Sequence, residues 1–332
     1  MEDYKVRQLK MYKSLCAIFL YGALAVFGSL QSATGQTVRL ILPYPAGGSA
    51  DALARSVGAS LATHLGRPVV VENKPGGSTT IGTLEVVKAP ADGNTILLTT
   101  AESTMAIVPL TLKNPSYDAL RDLSPVMILG TSPHWLVVRA DRPEKSLGDV
   151  IETIKRNPGE FTFSTNIAGG SVHLVLEYWK KISGLQFIVV PYTGVPKVLP
   201  DLLGGRLGAT FDLLGGTAEL VAQGKLRAIA LFDKQRSASV PNVPSFAETQ
   251  NLPDLSMLGS YVFAVPSATS PQVIQKLNQV LVDVAKDTSV KNRMVQLTID
   301  PILSSPEEAR VYVQKLNERF AVLIKEANFV PN

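Results

Sequence analysis

Three turns in this sequence place glycine and a hydroxyl-bearing residue just ahead of a helical pattern, an arrangement suited to holding an anion. The first is Pro43-Tyr44-Pro45-Ala46-Gly47-Gly48-Ser49-Ala50-Asp51. Glycine lets the backbone turn tightly and approach a ligand closely. Ser49 is a candidate N-cap, and the leading N–H groups of a helix lack partners of their own, so they offer an anion site. The second turn, Ser164-Thr165-Asn166-Ile167-Ala168-Gly169-Gly170-Ser171-Val172-His173, repeats the order of strand, glycine pair, serine and helix. The third, Val190-Pro191-Tyr192-Thr193-Gly194-Val195-Pro196-Lys197, adds a tyrosine whose apolar ring and polar tip suit a small organic ligand. Each also reads as an ordinary capped strand-to-helix connection. The first turn is neither a P-loop, since no Gly-Lys-Ser/Thr follows, nor a dinucleotide fingerprint, since G-x-G-x-x-G is absent. If two helix ends met on one anion, each would contribute roughly 0.3–2 kcal/mol. Micromolar affinity needs about 8 kcal/mol, so hydrogen bonds and cleft closure must supply the rest.

Residues for catalysis are sparse. His64, His134 and His173 show no metal-ligand spacing such as H-E-x-x-H, and ordinary structural roles are expected for them. Ser171 and His173 stand two apart on a helix and so face different directions, and G-x-S-x-G is missing. Asp51 and Asp212 read as capping or cleft-lining carboxylates, not as an acid/base pair. No metal, no cofactor and no enzymatic activity is expected.

The turns require a scaffold of alternating strands and helices. Strands are expected at 38–42, 69–72, 95–99, 126–129, 136–138, 161–164, 188–190, 209–211, 228–231 and 261–265. Leu53, Val57, Leu61 and Leu65 mark one helix. Val172, Val175, Leu176, Trp179 and Ile182 mark another, ended by Gly184. Two late helices start with proline, at 271–287 and 306–327. Such alternation means α/β with mainly parallel sheets. Boundaries are expected near 130–133, after an irregular stretch at 113–125, and in the proline-interrupted loop 237–253.

The chain has 332 residues, 45% hydrophobic and 18% charged, a globular composition. Residues 1–35 carry Lys5, Arg7, Lys10 and Lys13 against Glu2 and Asp3, which takes half of the net +4. A nearly neutral body without a Lys/Arg run gives no basis for nucleic acid binding. The basic start, the apolar run 15–30 and the small residues Ala33 and Gly35 describe a secretory signal peptide cut after Gly35. A retained membrane anchor is the alternative. Cys16, the only cysteine, falls within this leader, so the mature chain suits an oxidising compartment such as the periplasm.

VRLILPYPAGGSAD at 38–51, VVVENKPG at 69–76, ADGNTILL at 91–98, the Gly-Gly-Ser-Val-His-Leu turn at 169–174 and VPYTGVPKVLPDLLGGRLGATF at 190–211 together resemble the Bug/TctC family. Its members are extracytoplasmic solute receptors of tripartite tricarboxylate transporters. The resemblance covers essentially the whole mature chain. It implies an α/β, two-domain periplasmic-binding-protein (Venus flytrap) fold, each domain a mainly parallel sheet flanked by helices. Residues 36–132 with 252–332 would form one domain and 133–251 the other, after a signal peptide at 1–35. The resemblance further implies a small organic acid as ligand, membrane transporter subunits or a membrane sensor as partners, and a monomer. Tyr44, Ala46, Gly47, Ser49 and Asp51, then Thr165, Gly170, Ser171 and His173, then Tyr192 and Thr193 would line the cleft. Asp212 matches a position where the family often has an aspartate facing the cleft. Two features depart from the family. Glu102 puts a carboxylate at the cleft wall, which would repel a second anionic group and favour an ammonium, amide or hydroxyl there; it could equally point to solvent or cap the next helix. Thr193 stands where the family often has a basic residue.

Overall fold

The strands are short, β-branched and apolar, and they assemble around the same unit used twice. In the first, β1 (Val38–Leu42) lies between parallel β2 (Val69–Asn73) and β3 (Thr95–Thr100), with helices α1 (Ser49–Leu65) and α2 (Thr80–Val87) as crossovers. After α3 (Leu147–Arg156) comes the second. There β5 (Thr162–Thr165) lies between parallel β6 (Ile188–Pro191) and β7 (Ala209–Leu213), connected through α4 (Ser171–Ser183) and α5 (Val195–Leu203). The computed structural model describes residues 36–112, 116–249 and 257–329. The expected leader, with Cys16 and the cut after Gly35, lies outside them, as do residues 113–115 and 250–256 of the expected irregular stretch and boundary loop.

One strand joins the units. β4 (Leu123–Arg139) unites the two strands expected at 126–129 and 136–138. The intervening Gly130-Thr131-Ser132-Pro133 reads as a turn by composition. Instead, these four residues pair one by one with Tyr261 to Leu258, and the shifts of register fall ahead of them, after Pro125 and Ile128. Gly130 is required because β10 (Asp300–Pro301) approaches so closely that a Cβ would lie 2.4 Å from the Asp300 carbonyl oxygen. Up to Pro133, β4 pairs antiparallel with β9 (Leu258–Pro266); from His134 on it pairs antiparallel with β7 and β8 (Leu226–Leu231). The sheets are therefore mixed, not mainly parallel: the β2-β1-β3 and β6-β5-β7 cores run parallel, while β9 runs against the first and β4 against the second.

Alternation along the strands divides the core. Val38, Leu40 and Leu42 face α1 together with Leu277 and Leu281 of α7 (Pro271–Lys286) and Val290 of α8 (Thr288–Gln296), whereas Ile41 faces the other way. In β4, Trp135 and Val137 join a cluster with α5 and α6 (Leu214–Ala222), while Leu136 and Val138 face an aromatic group of Phe161, Phe163, Trp179 and Phe187. The last helix, α9 (Pro306–Ala327), seals that face with Val313, Leu316 and Phe320.

Candidate ligand-binding site

Four helices begin at one cavity. Gly48 and Ser49 bring α1 to it, Ser171 brings α4, Gly194 to Pro196 bring α5, and Asp212 with Leu213 precede α6. The residues at their caps are Gly48, Gly170, Gly194 and Leu213, none of which supplies a side-chain capping hydrogen bond. By contrast α3, α7 and α9 are capped by Ser146, Ser270 and Ser305, while α2 and α8 start from tight turns without one. Ser49 is thus not the N-cap expected of it but the first helical residue, and its Oγ accepts from the Tyr261 hydroxyl at 3.3 Å. The positive ends of the four helix dipoles lie at the cavity, although Pro196 brings no N–H to α5 and the Ser171 N–H is taken by Ser103. Among the described residues, no lysine or arginine lines it.

Between β3 and the short helix that follows lies a π-helical stretch, Ala101–Ile107, which carries Glu102 and Ser103 to the cavity. Ser103 Oγ lies 2.9 Å from Ser171 Oγ and accepts from the Ser171 N–H at 3.3 Å. Two walls separated by 68 residues of sequence are thereby tied together. Gly194 is needed at another crossing: with φ at +148°, a Cβ there would lie 2.5 Å from Pro45 Cγ. The cavity measures about 70 Å³, well above the roughly 10–15 Å³ needed to admit one water.

Three carboxyl groups line the cavity and differ sharply. Asp51 is saturated. Oδ2 accepts from the Gly47 N–H at 3.0 Å and Arg55 Nε at 3.1 Å, and Oδ1 accepts from Asn73 Nδ2 at 3.0 Å. Burial opposes its ionisation, yet the bonds from Arg55, Gly47 and Asn73 outweigh that and hold it below the usual carboxylate range. It shapes the first turn. Glu102 neither points to solvent nor caps a helix. Its oxygens accept from the Ser260 N–H at 2.8 Å and Ser260 Oγ at 2.5 Å, and Tyr312 donates to Ser260 or Glu102 behind them. Burial pushes its pKa up against the pull of those bonds. Asp212 differs again. Oδ1 accepts from the Leu213 N–H at 2.8 Å, while Oδ2 is buried without a hydrogen bond of normal geometry. Burial, offset in part by that N–H and the nearby Thr217 hydroxyl, pushes its pKa up to about 7.

Of the other expected residues, Tyr44 lines the wall, its hydroxyl fixed 2.9 Å from both Thr99 Oγ1 and Thr100 Oγ1. Ala46 and Gly47 are exposed at the mouth, outside the cavity lining. Thr165 is buried and spends its hydroxyl on the Ile167 carbonyl at 3.0 Å, and Gly170 acts only as the α4 cap. Tyr192 donates to Asp201 at 2.6 Å and, with Thr193, lines a smaller adjoining pocket that shares Tyr44, Asn166 and Ile167 with the main one. His173 is a correction. Its Nδ1 accepts from the Gly169 N–H at 2.9 Å, its ring meets Phe329 edge-on, and it lines a surface groove elsewhere. Its place two residues after Ser171 turns it to another face of α4.

Sequence reading passed over Ser103, His134 and Asn166, which all line the cavity. Asn166 carried a signal, a bare amide between a strand and a glycine pair. His134 sits where β4 exchanges partners, and its Nδ1 lies 3.0 Å from the Met257 carbonyl oxygen.

The chain was compared with known proteins. Residues 53–329 match the model of the TctC family, described as the tripartite tricarboxylate transporter family receptor. Protein BugT of Bordetella pertussis is 30% identical over 321 residues, covering 96% of this chain and 98% of that protein. The solved periplasmic binding protein BugD is 28% identical with a TM-score of 0.82, covering 89% of this chain and 98% of its own. Rpa4515 of R. palustris, solved with adipate, is 27% identical with a TM-score of 0.84, covering 90% and 99%. Mixed α/β sheets flanked by helices, a cavity built from helix starts and these similarities agree: the chain belongs to the TctC family of periplasmic-binding-protein-fold receptors, which bind ligands and are not enzymes.

Proposed function

We propose that this receptor works in the periplasm, capturing a small carboxylate-bearing metabolite and presenting it to the membrane subunits of a tripartite tricarboxylate-type transporter. The observation that carries the reading is the convergence of four helix starts, none capped by its own N-cap side chain, on a cavity that no lysine or arginine lines among the described residues. At about 0.3–2 kcal/mol each, four such ends favour an anion by roughly 1–8 kcal/mol. Hydrogen bonds from Ser49, Ser103, Ser171 and Asn166 add direction. In this reading Tyr44, Ser49, Ser171 and Asp212 contact the ligand, while Asp51 and Glu102 shape the wall. Residues 36–132 with 252–332 form one lobe and 133–251 the other, and the contacts Ser103–Ser171 and Pro45–Gly194 mark the closed arrangement. A ligand touching both lobes favours closure because only the closed form makes both sets of contacts. The relative solved with adipate supports an acid as ligand. The leader supports export, and among the described residues no helix is long and apolar enough to cross a membrane.

The test is mass spectrometry of small molecules released on denaturing protein purified from the periplasm. A carboxylic acid in near-stoichiometric amount is expected, and returning it at about 100 times its Kd should add roughly 2.7 kcal/mol of stability. A released compound without an acid group, or no stabilisation by any acid in a broad panel, would overturn the reading.

A further inference from the structure

If a carboxylate occupies the helix starts, as proposed above, the strand residue beside them decides what else the ligand must carry. That residue is His134, paired with Leu213 and 6% exposed. The Met257 carbonyl can only accept, so Nδ1 carries the proton and donates to it at 3.0 Å. Burial pushes the imidazole down to about 4, so the ring is neutral near pH 7. Nε2 is then a lone pair, with no protein donor paired to it among the described residues. A lone pair repels a carboxylate oxygen and attracts an O–H or N–H. Asp212, with its unpaired Oδ2, lines the same cavity. Glu102 does not compete, since Ser260 already serves both its oxygens.

We infer that the ligand is an acid bearing a hydrogen-bond donor beside its carboxylate, a 2-hydroxy or 2-amino acid, and that His134 selects it by accepting from that donor. The small chamber favours a donor close to the acid group over one on a long spacer. A plain acid of equal length leaves the His134 lone pair unmatched in a desolvated site, which is the situation that yields strong discrimination.

The test is calorimetric titration of the ligand-stripped full protein with two matched sets: propionate, lactate and alanine, then succinate, malate and aspartate. The wild type should bind the hydroxy or amino member of a set about tenfold or more tighter than the plain acid, the better of the two showing whether the donor is O–H or N–H. His134→Asn keeps a donor for Met257 and removes the Nε2 acceptor. It should bring the affinity ratio within each set to about one, and a circular-dichroism melt like that of the wild type shows that the variant is folded. Equal wild-type affinity within each set, or an equal loss for every acid in the variant, would overturn the inference and leave the carboxylate reading standing. No binding of any of the six acids would overturn the inference, while the carboxylate reading stands or falls by the released compound.

Discussion

Asp212 is the residue where the cavity and the stability of the protein meet. Its carboxyl is almost wholly buried, has one hydrogen-bonded oxygen, and is raised to about 7 from an ordinary 3.8. The folded protein therefore holds this proton more tightly than the unfolded chain does. The contribution is fully present below about pH 4 and is lost as the pH rises towards 7. Replacing Asp212 by Asn removes the loss. The variant should match the wild type near pH 4 and exceed it by roughly 2–4 kcal/mol above pH 7 in chemical unfolding. A difference that stays constant with pH would contradict the assignment. At this scale the sequence is legible where turn chemistry speaks: Ser49, Ser171 and Tyr44 reach the cavity because glycine, serine and helix start are coupled by backbone geometry. His173 misleads for the same reason, since proximity to Ser171 in sequence is not proximity in direction. His134 was hidden because a lone histidine in an apolar strand gives no sign of which nitrogen is occupied.

The elements carry the site through their ends. Each parallel core uses the same arrangement of a central strand between two neighbours, so the helices after β1, β5, β6 and β7 start at the cavity. Alternating hydrophobicity and glycine-marked ends made these elements readable. The unbroken β4 was not, because Gly130 and Pro133 imitate a turn, yet both pair with β9, and β10 approaches closely at Gly130. The π-helical Ala101–Ile107 also escaped, as every residue in it is buried and no periodicity separates its faces. The crossing of α5 past the first turn gives an element-scale test. Gly194→Ala places a methyl 2.5 Å from Pro45 Cγ at a φ of +148°. It should cost about 1–3 kcal/mol in urea unfolding and weaken acid binding measured by calorimetry. Gly224→Ala is the control, with a φ of +69° but nothing within 4 Å. Its cost should be about 1 kcal/mol with affinity unchanged. Equal effects of both on affinity would remove the crossing from the account.

At the scale of the whole molecule, two sheets share one strand, and segments from both meet at the cavity in two places, Ser103 to Ser171 and Pro45 against Gly194, and outside its lining at Thr111 to Gly169. The α/β class followed from the sequence because strand and helix patterns alternate. The mixed pairing did not, because strand direction depends on β9 returning between β3 and β4 from far along the chain. This arrangement brings helix starts of both units to one cavity, where one bound acid can be held from both sides. Hydrogen exchange, followed residue by residue with and without the acid released from the purified protein, measures that directly. Ligand should slow exchange at residues 47–50 and 170–172 together, to a similar extent. Slowing confined to one turn, with the other exchanging as in the ligand-free protein, would contradict an acid held by both.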